Sequence, residues 1–171
     1  MALKLRYPVE NFNVTSPYGY RIHPITGINT FHNGIDIGIP LNTNIRAQAD
    51  GLVNKIWISP KGGLQLRITY KNGLIVGYAH LDSVEVGINQ KVSAGQLIAL
   101  SGNTGLSTGP HLHYTIKDKQ GNYIDPLLID YKPFRKTTRL ASMSFIPFRD
   151  PIGFIILLAG GLIANQIFKR K

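Results

Sequence analysis

The chain has 171 residues, 43% of them hydrophobic, no cysteine and a formal net charge of +10. That length allows one β-rich core of about 130 residues plus a tail, and the missing cysteine excludes disulfides and thiolate metal ligands. Residues 1–130 carry eleven basic against eight acidic side chains, the last forty-one eight against one, so the basic excess sits in the tail. Beside an apolar stretch, such charge favours anionic lipid headgroups over nucleic acid, which is not expected as a partner.

The first residues, Met1 to Pro8, hold no apolar run of signal-peptide length. Phe31-His32-Asn33-Gly34-Ile35-Asp36-Ile37 follows, where Gly34, Gly38 and Pro40 oppose a helix and Ile35, Ile37 and Ile39 alternate as in a half-buried strand. Residues four apart on one strand share a face, so His32 and Asp36 are expected to project together, away from the isoleucines. Strand-like runs then recur at Ile45–Ile58, Leu64–Tyr70, Leu74–His80, Val92–Leu100 and His111–Ile116, the second and third joined as a hairpin by Lys71-Asn72-Gly73, whose Asn-Gly pair tolerates positive φ. No amphipathic helix is expected before residue 130.

His111 and His113, two apart, share the face opposite Leu112, Tyr114 and Ile116. Residues 102–109 are glycine-rich but lack the Gly-Lys-Ser/Thr ending of a phosphate loop, and read better as a turn delivering His111. His23, before Pro24, reads as structural or groove-lining. Tyr18, Tyr20, Asn29, Asn103 and Thr104 are candidate polar walls.

Only five histidines occur in the chain, and three fall in these two clusters with His80 between them. Imidazole and carboxylate suit zinc, and three protein ligands leave a fourth tetrahedral position for catalysis. The expected chemistry is amide or ester hydrolysis, with a histidine outside the ligand set accepting a proton or stabilising an oxyanion. His80 and His111 are the candidates for that work.

The stretch from about Val14 to Pro126 resembles the lysostaphin-type zinc metallopeptidases that cut peptide crosslinks in bacterial peptidoglycan. The resemblance rests on Thr15–Gly27, Phe31–Ile37, Ala49–Val53, Tyr78-Ala79-His80-Leu81 and Gly102–His113, in the family's order. It implies that His32, Asp36 and His113 hold Zn2+, that His80 and His111 flank the reacting carbonyl, and that the substrate is a peptidoglycan stem peptide or crossbridge. It also implies a mainly antiparallel, open β-sandwich or barrel-like fold. Ala49–Val53 and Ala94–Ala99 resemble the paired half-motifs of biotinyl/lipoyl-like barrels. Departures from the pattern lie at Lys61–Tyr70 and at Tyr114-Thr115-Ile116, and bear on substrate preference.

Residues 152–168 carry no formal charge and end in Lys169-Arg170-Lys171. As a helix they extend about 26 Å, a marginal bilayer span. The expected organisation is an endopeptidase domain at 1–130, a basic, proline-containing connector at 131–151, and a membrane-spanning C-terminal helix at 152–171. An extracellular substrate without an export signal is expected of a phage enzyme carried by a virion, such as one with an internal membrane, with a bacterial tail-anchored enzyme as the competitor. The alternatives in function are a catalytically silent wall-binding or hydrolase-activating membrane protein and a structural virion membrane protein.

Overall fold

The computed structural model describes residues 4–22 and 25–133. Fourteen strands run in chain order: β1 Lys4–Arg6, β2 Val14–Ser16, β3 Gly19–Ile22, β4 Asn29–His32, β5 Ile35–Gly38, β6 Asn44–Arg46 and β7 Gly51–Ser59. They continue as β8 Gly63–Tyr70, β9 Ile75–Val84, β10 Lys91–Val92, β11 Leu97–Ser101, β12 His111–Lys117, β13 Tyr123–Ile124 and β14 Asp130–Lys132. Among the described residues the one helical element is a 3-10 turn at Pro126–Leu128, capped by the Asp125 side chain. The mainly β, antiparallel expectation therefore holds for this region. The expected C-terminal helix lies outside the described residues, as does His23. Among the described residues, no helix is long and apolar enough to cross a membrane.

The principal sheet has the order β10-β7-β8-β9-β12-β5-β2, with β11 joining β9 to β6 and β13 on β12. Its pairings are antiparallel, whereas β1 and β14 pair in parallel, Lys4 to Asp130 and Arg6 to Lys132. Strand alternation sends one face inward. Leu66, Ile68, Val76, Leu81, Leu112, Ile116, Ile35 and Ile37 are fully buried there, and burying each such side chain favours the fold by about 1.5–3 kcal/mol.

A polar chain runs through this core. Gln48 Oε1 accepts from the Tyr114 and Tyr78 hydroxyls at 2.7 and 3.1 Å, while Gln48 Nε2 donates to the Arg6 carbonyl at 2.6 Å. Tyr70 donates to the Tyr78 hydroxyl at 2.7 Å and accepts from the Gln48 backbone N–H at 3.0 Å. Every polar atom of the cluster thus finds a partner, which the low dielectric demands. Burial pushes the Tyr70 phenol up to about 12 and those of Tyr78 and Tyr114 well above the ordinary value.

The expected Ile45–Ile58 strand divides into β6 and β7 because Gln48 leaves the strand to enter that network, and Asp50 turns the chain. Asp50 Oδ1 accepts from the Ala94 N–H at 3.0 Å, which joins the two glycine-marked half-motifs. The hairpin between β8 and β9 turns through Lys71-Asn72-Gly73, the three residues that join the two runs in the sequence, with the Tyr70 N–H donating to the Leu74 carbonyl at 2.9 Å. The Gly73 N–H donates to the Tyr70 carbonyl at 2.8 Å and Gly73 alone takes a positive φ, of 85°, the pattern of a three-residue loop ending in a left-handed glycine.

Candidate active site

The outward face of the principal sheet forms the floor of an open groove. On β12, His111, His113, Thr115 and Lys117 alternate with the buried residues, as the sequence indicates. On β5, Asp36 projects between buried Ile35 and Ile37, and the register sets Asp36 directly opposite His113.

His32 arrives differently from expectation. It ends β4, which pairs with β3 in a separate two-stranded ribbon, so His32 and Asp36 do not share a strand. The break falls at Asn33-Gly34, where the chain passes tightly over β12. A Cβ on Gly34 would lie 2.3 Å from the Tyr114 carbonyl oxygen, so only glycine permits this crossing. His32 is thereby folded back over Asp36 and buried.

His80 is placed by a β-bulge. Leu64 pairs with Leu81 and Leu66 with Tyr78, so two steps on β8 oppose three on β9. Strict alternation would send His80 inward with Val76 and Tyr78. The extra residue instead lets Leu81 return to the core while His80, at φ 61°, turns to the groove. A left-handed histidine is sterically uncommon, and here its backbone N–H is held by the Gly62 carbonyl at 2.8 Å.

Three donor atoms converge. His113 Nδ1 lies 2.9 Å from Asp36 Oδ1, His32 Nε2 lies 3.0 Å from His113 Nδ1, and His32 Nε2 lies 3.2 Å from Asp36 Oδ1. His32 Nδ1 donates to the Pro17 carbonyl at 2.7 Å, which commits its proton there and leaves the Nε2 lone pair facing the cluster. A lone pair from each imidazole and a carboxylate oxygen facing one point repel unless a cation sits among them. Ligand bonds of about 2.0–2.2 Å in a tetrahedron set ligand atoms about 3.3–3.6 Å apart, a few tenths of an ångström wider than this triangle. The three residues can therefore hold one metal ion.

The surrounding contacts fix these ligand orientations. Arg21 Nη2 donates to Asp36 Oδ2 at 3.1 Å, turning Oδ1 toward the histidines. Burial would raise the Asp36 carboxyl, but the hydrogen bonds and charges of His113 and His32 outweigh it and hold it well below the usual carboxylate range. His80 Nδ1 donates to the Thr104 carbonyl at 2.7 Å and His111 Nδ1 to the Gly109 carbonyl at 2.8 Å. Both rings thus offer Nε2 to the groove, with centroids 4.5 Å apart. Burial lowers the His80 pKa, and the charges of His111 and His113 add to this, so its neutral, proton-accepting form prevails at neutral pH.

All five residues singled out from the sequence meet in this groove, while the candidate polar walls do not. Tyr18, Tyr20, Asn29, Asn103 and Thr104 are absent from its lining, whose polar members include Thr15, Ser16, Arg21, Thr30 and Asn33. Thr104 works from behind: its carbonyl orients His80, and its hydroxyl accepts from the Leu64 N–H and donates to Leu81 O. Arg21 has no role assigned from the sequence, although it lies inside the Thr15–Gly27 motif. An arginine two residues after a glycine-marked turn carries no signal of its own until the pairing of β3 with β4 is known.

A triangle able to hold a metal ion, with two oriented imidazoles at an open β-groove, is the arrangement expected of a metal-dependent hydrolase. Residues 30–126 match the model of Peptidase family M23, and the chain belongs to that family. It is 41% identical over 113 residues to the peptidoglycan DD-endopeptidase ShyA of Vibrio cholerae, an alignment covering 65% of this chain and 26% of the relative. The chain thus spans about a quarter of the relative's length. A zinc-containing peptidase from Vibrio cholerae superposes with a TM-score of 0.67 at 35% identity, covering 77% of this chain and 41% of that one. The catalytic domain of lysostaphin from Staphylococcus simulans superposes with a TM-score of 0.63 at 30% identity, covering 68% and 90%.

Proposed function

We propose that this metallopeptidase is a zinc-dependent endopeptidase that hydrolyses peptide bonds in bacterial peptidoglycan stem peptides or crossbridges. The observation that carries the reading is the triangle of His32 Nε2, Asp36 Oδ1 and His113 Nδ1, with edges of 2.9 to 3.2 Å. Relatives named as peptidoglycan DD-endopeptidases support the substrate class. His32, Asp36 and His113 are assigned as the metal ligands. When bound there, zinc supplies Lewis acidity that polarises a carbonyl and makes water a nucleophile at neutral pH.

The chain's own residues complete the chemistry. The His80 and His111 imidazoles, each with Nδ1–H committed to a backbone carbonyl, present Nε2 lone pairs to a water at the scissile carbonyl. One accepts the proton as the water oxygen bonds to the carbonyl carbon. The proton then passes to the leaving amine nitrogen as the C–N bond breaks. A neutral His80 suits the accepting role, and His111 Nε2 stands across the groove 3.8 Å from Asp36 Oδ1.

We further assign residues 152–171 as a membrane attachment with 131–151 as connector, on the uncharged run and its basic flanks. The test of the enzymatic reading is mass-spectrometric identification of fragments released from defined cell walls, alongside metal analysis. Peptide-bond cleavage that stops with chelation and returns with zinc is expected. Intact walls after incubation with a fully zinc-loaded chain would overturn it and leave a wall-binding protein.

A further inference from the structure

A second depression adjoins the metal triangle on the same sheet face. Across this row of the sheet, Lys55 pairs with Arg67, Arg67 with Gly77, and Gly77 with Thr115. One row nearer the metal, Ala79 pairs with His113. The outward residues of β9 are thus Gly77 and Ala79, while both neighbouring strands carry long side chains, leaving a trough along β9 that begins at His113. A Cβ on Gly77 would lie 2.5 Å from Thr115 Oγ1, so a larger residue would narrow the channel.

The walls are basic and braced. The Arg67 guanidinium stands 5.2 Å over the Trp57 ring and the Lys117 ammonium 4.2 Å over the Tyr123 ring. No Asp or Glu lines the trough, and among the described residues neither cation is in a salt bridge. Stacking on an aromatic face fixes a cation without neutralising it, and a guanidinium held so is prepared for two-pronged contact with a carboxylate. Two strand residues span about 7 Å, so the Arg67 row lies at the distance that a long side chain on the substrate residue next to the scissile bond would reach.

We propose that this trough is a subsite for a free carboxylate, so that the substrate is a peptide bearing an acidic group on a residue next to the scissile bond. This rests on the endopeptidase reading above, but its test does not. Trp57 is the sole tryptophan, and its fluorescence reports occupancy of the trough directly. The experiment titrates the full zinc-loaded chain carrying His80→Ala, to slow turnover, with a matched pair of stem peptides differing only in that group, free acid or carboxamide.

The acid should bind at least tenfold more tightly, and Arg67→Gln should remove the difference. Lys117→Gln should reduce it, and both variants should retain zinc. In the otherwise unsubstituted chain, these variants should raise KM for the acid by a larger factor than KM for the carboxamide. Equal fluorescence affinities for the pair would overturn the subsite. Acid preference with no cleavage of either peptide by the unsubstituted chain would leave the subsite standing and defeat the endopeptidase reading instead.

Discussion

At the scale of single residues, the donor triangle and the two flanking imidazoles do different work. His32→Ala, Asp36→Ala or His113→Ala would remove one of the three proposed ligands, so bound zinc and cleavage should be lost together. His80→Ala and His111→Ala should keep most of the metal while turnover falls by about 100- to 10,000-fold, the range for a missing proton-transfer group. Metal content and turnover measured on the same samples separate the two classes. Loss of zinc from the His111 variant with retention in the His113 variant would reverse their assignment. Arg21 belongs to neither class, since it touches Asp36 Oδ2 and not the metal edge. Arg21→Gln should weaken zinc binding by about 10- to 100-fold, read by competition with a chelator, and the rate at saturating zinc should suffer less.

Among the elements, the Asn33-Gly34 crossing between β4 and β5 is the piece on which the site depends. Gly34→Ala drives a Cβ into the Tyr114 carbonyl, and overpacking of this kind costs about 1–3 kcal/mol. Because His32 and Asp36 lie on either side of the crossing, the variant should melt earlier and also bind zinc more weakly than an equally destabilised core variant. Unchanged zinc affinity would mean the crossing does not set the ligand geometry. These same elements divide what the sequence discloses from what it conceals. Period-two alternation suffices for β12 and β5, because one face of each is buried and a one-residue slip would invert it. It fails at His80, where a bulge opposes the alternation, and at His32, whose strand belongs to another ribbon. Both residues were found through residue type and motif, and neither position follows from periodicity. The division of β6 from β7 depends on Gln48's long-range partners, which no local pattern encodes, whereas the Lys71-Asn72-Gly73 turn is legible in its Asn-Gly pair.

Across the whole molecule, the tyrosine–glutamine network ties the principal sheet to β1 and thence to β14. Gln48→Ala removes the shared acceptor of the Tyr78 and Tyr114 hydroxyls, leaving two O–H donors unsatisfied in the core. At about 1–3 kcal/mol for each unpaired group, urea unfolding should show a loss of about 2–6 kcal/mol. The same burial dictates alkaline behaviour. The folded Tyr70 titrates at about 12, whereas an unfolded tyrosine titrates near 10. Its contribution is therefore fully present below pH 10 and lost as pH rises from 10 towards 12. The urea midpoint should fall over that interval, and Tyr70→Phe should start lower but fall less steeply. At the far end of the chain, deleting residues 145–171 should release a soluble, active enzyme, and persistence of the truncated chain in a membrane fraction would refute the anchor.

The claim beneath all of this is that His32, Asp36 and His113 hold one divalent ion on the groove floor. Anomalous diffraction from crystals of the zinc-loaded chain, recorded on both sides of the zinc edge, tests it most directly. The account predicts a single strong peak about 2.0–2.2 Å from His32 Nε2, Asp36 Oδ1 and His113 Nδ1, with His80 and His111 beyond bonding distance. A peak bonded to His80 or His111 in place of one of those three, or zinc binding in solution with no peak in the triangle, would contradict it.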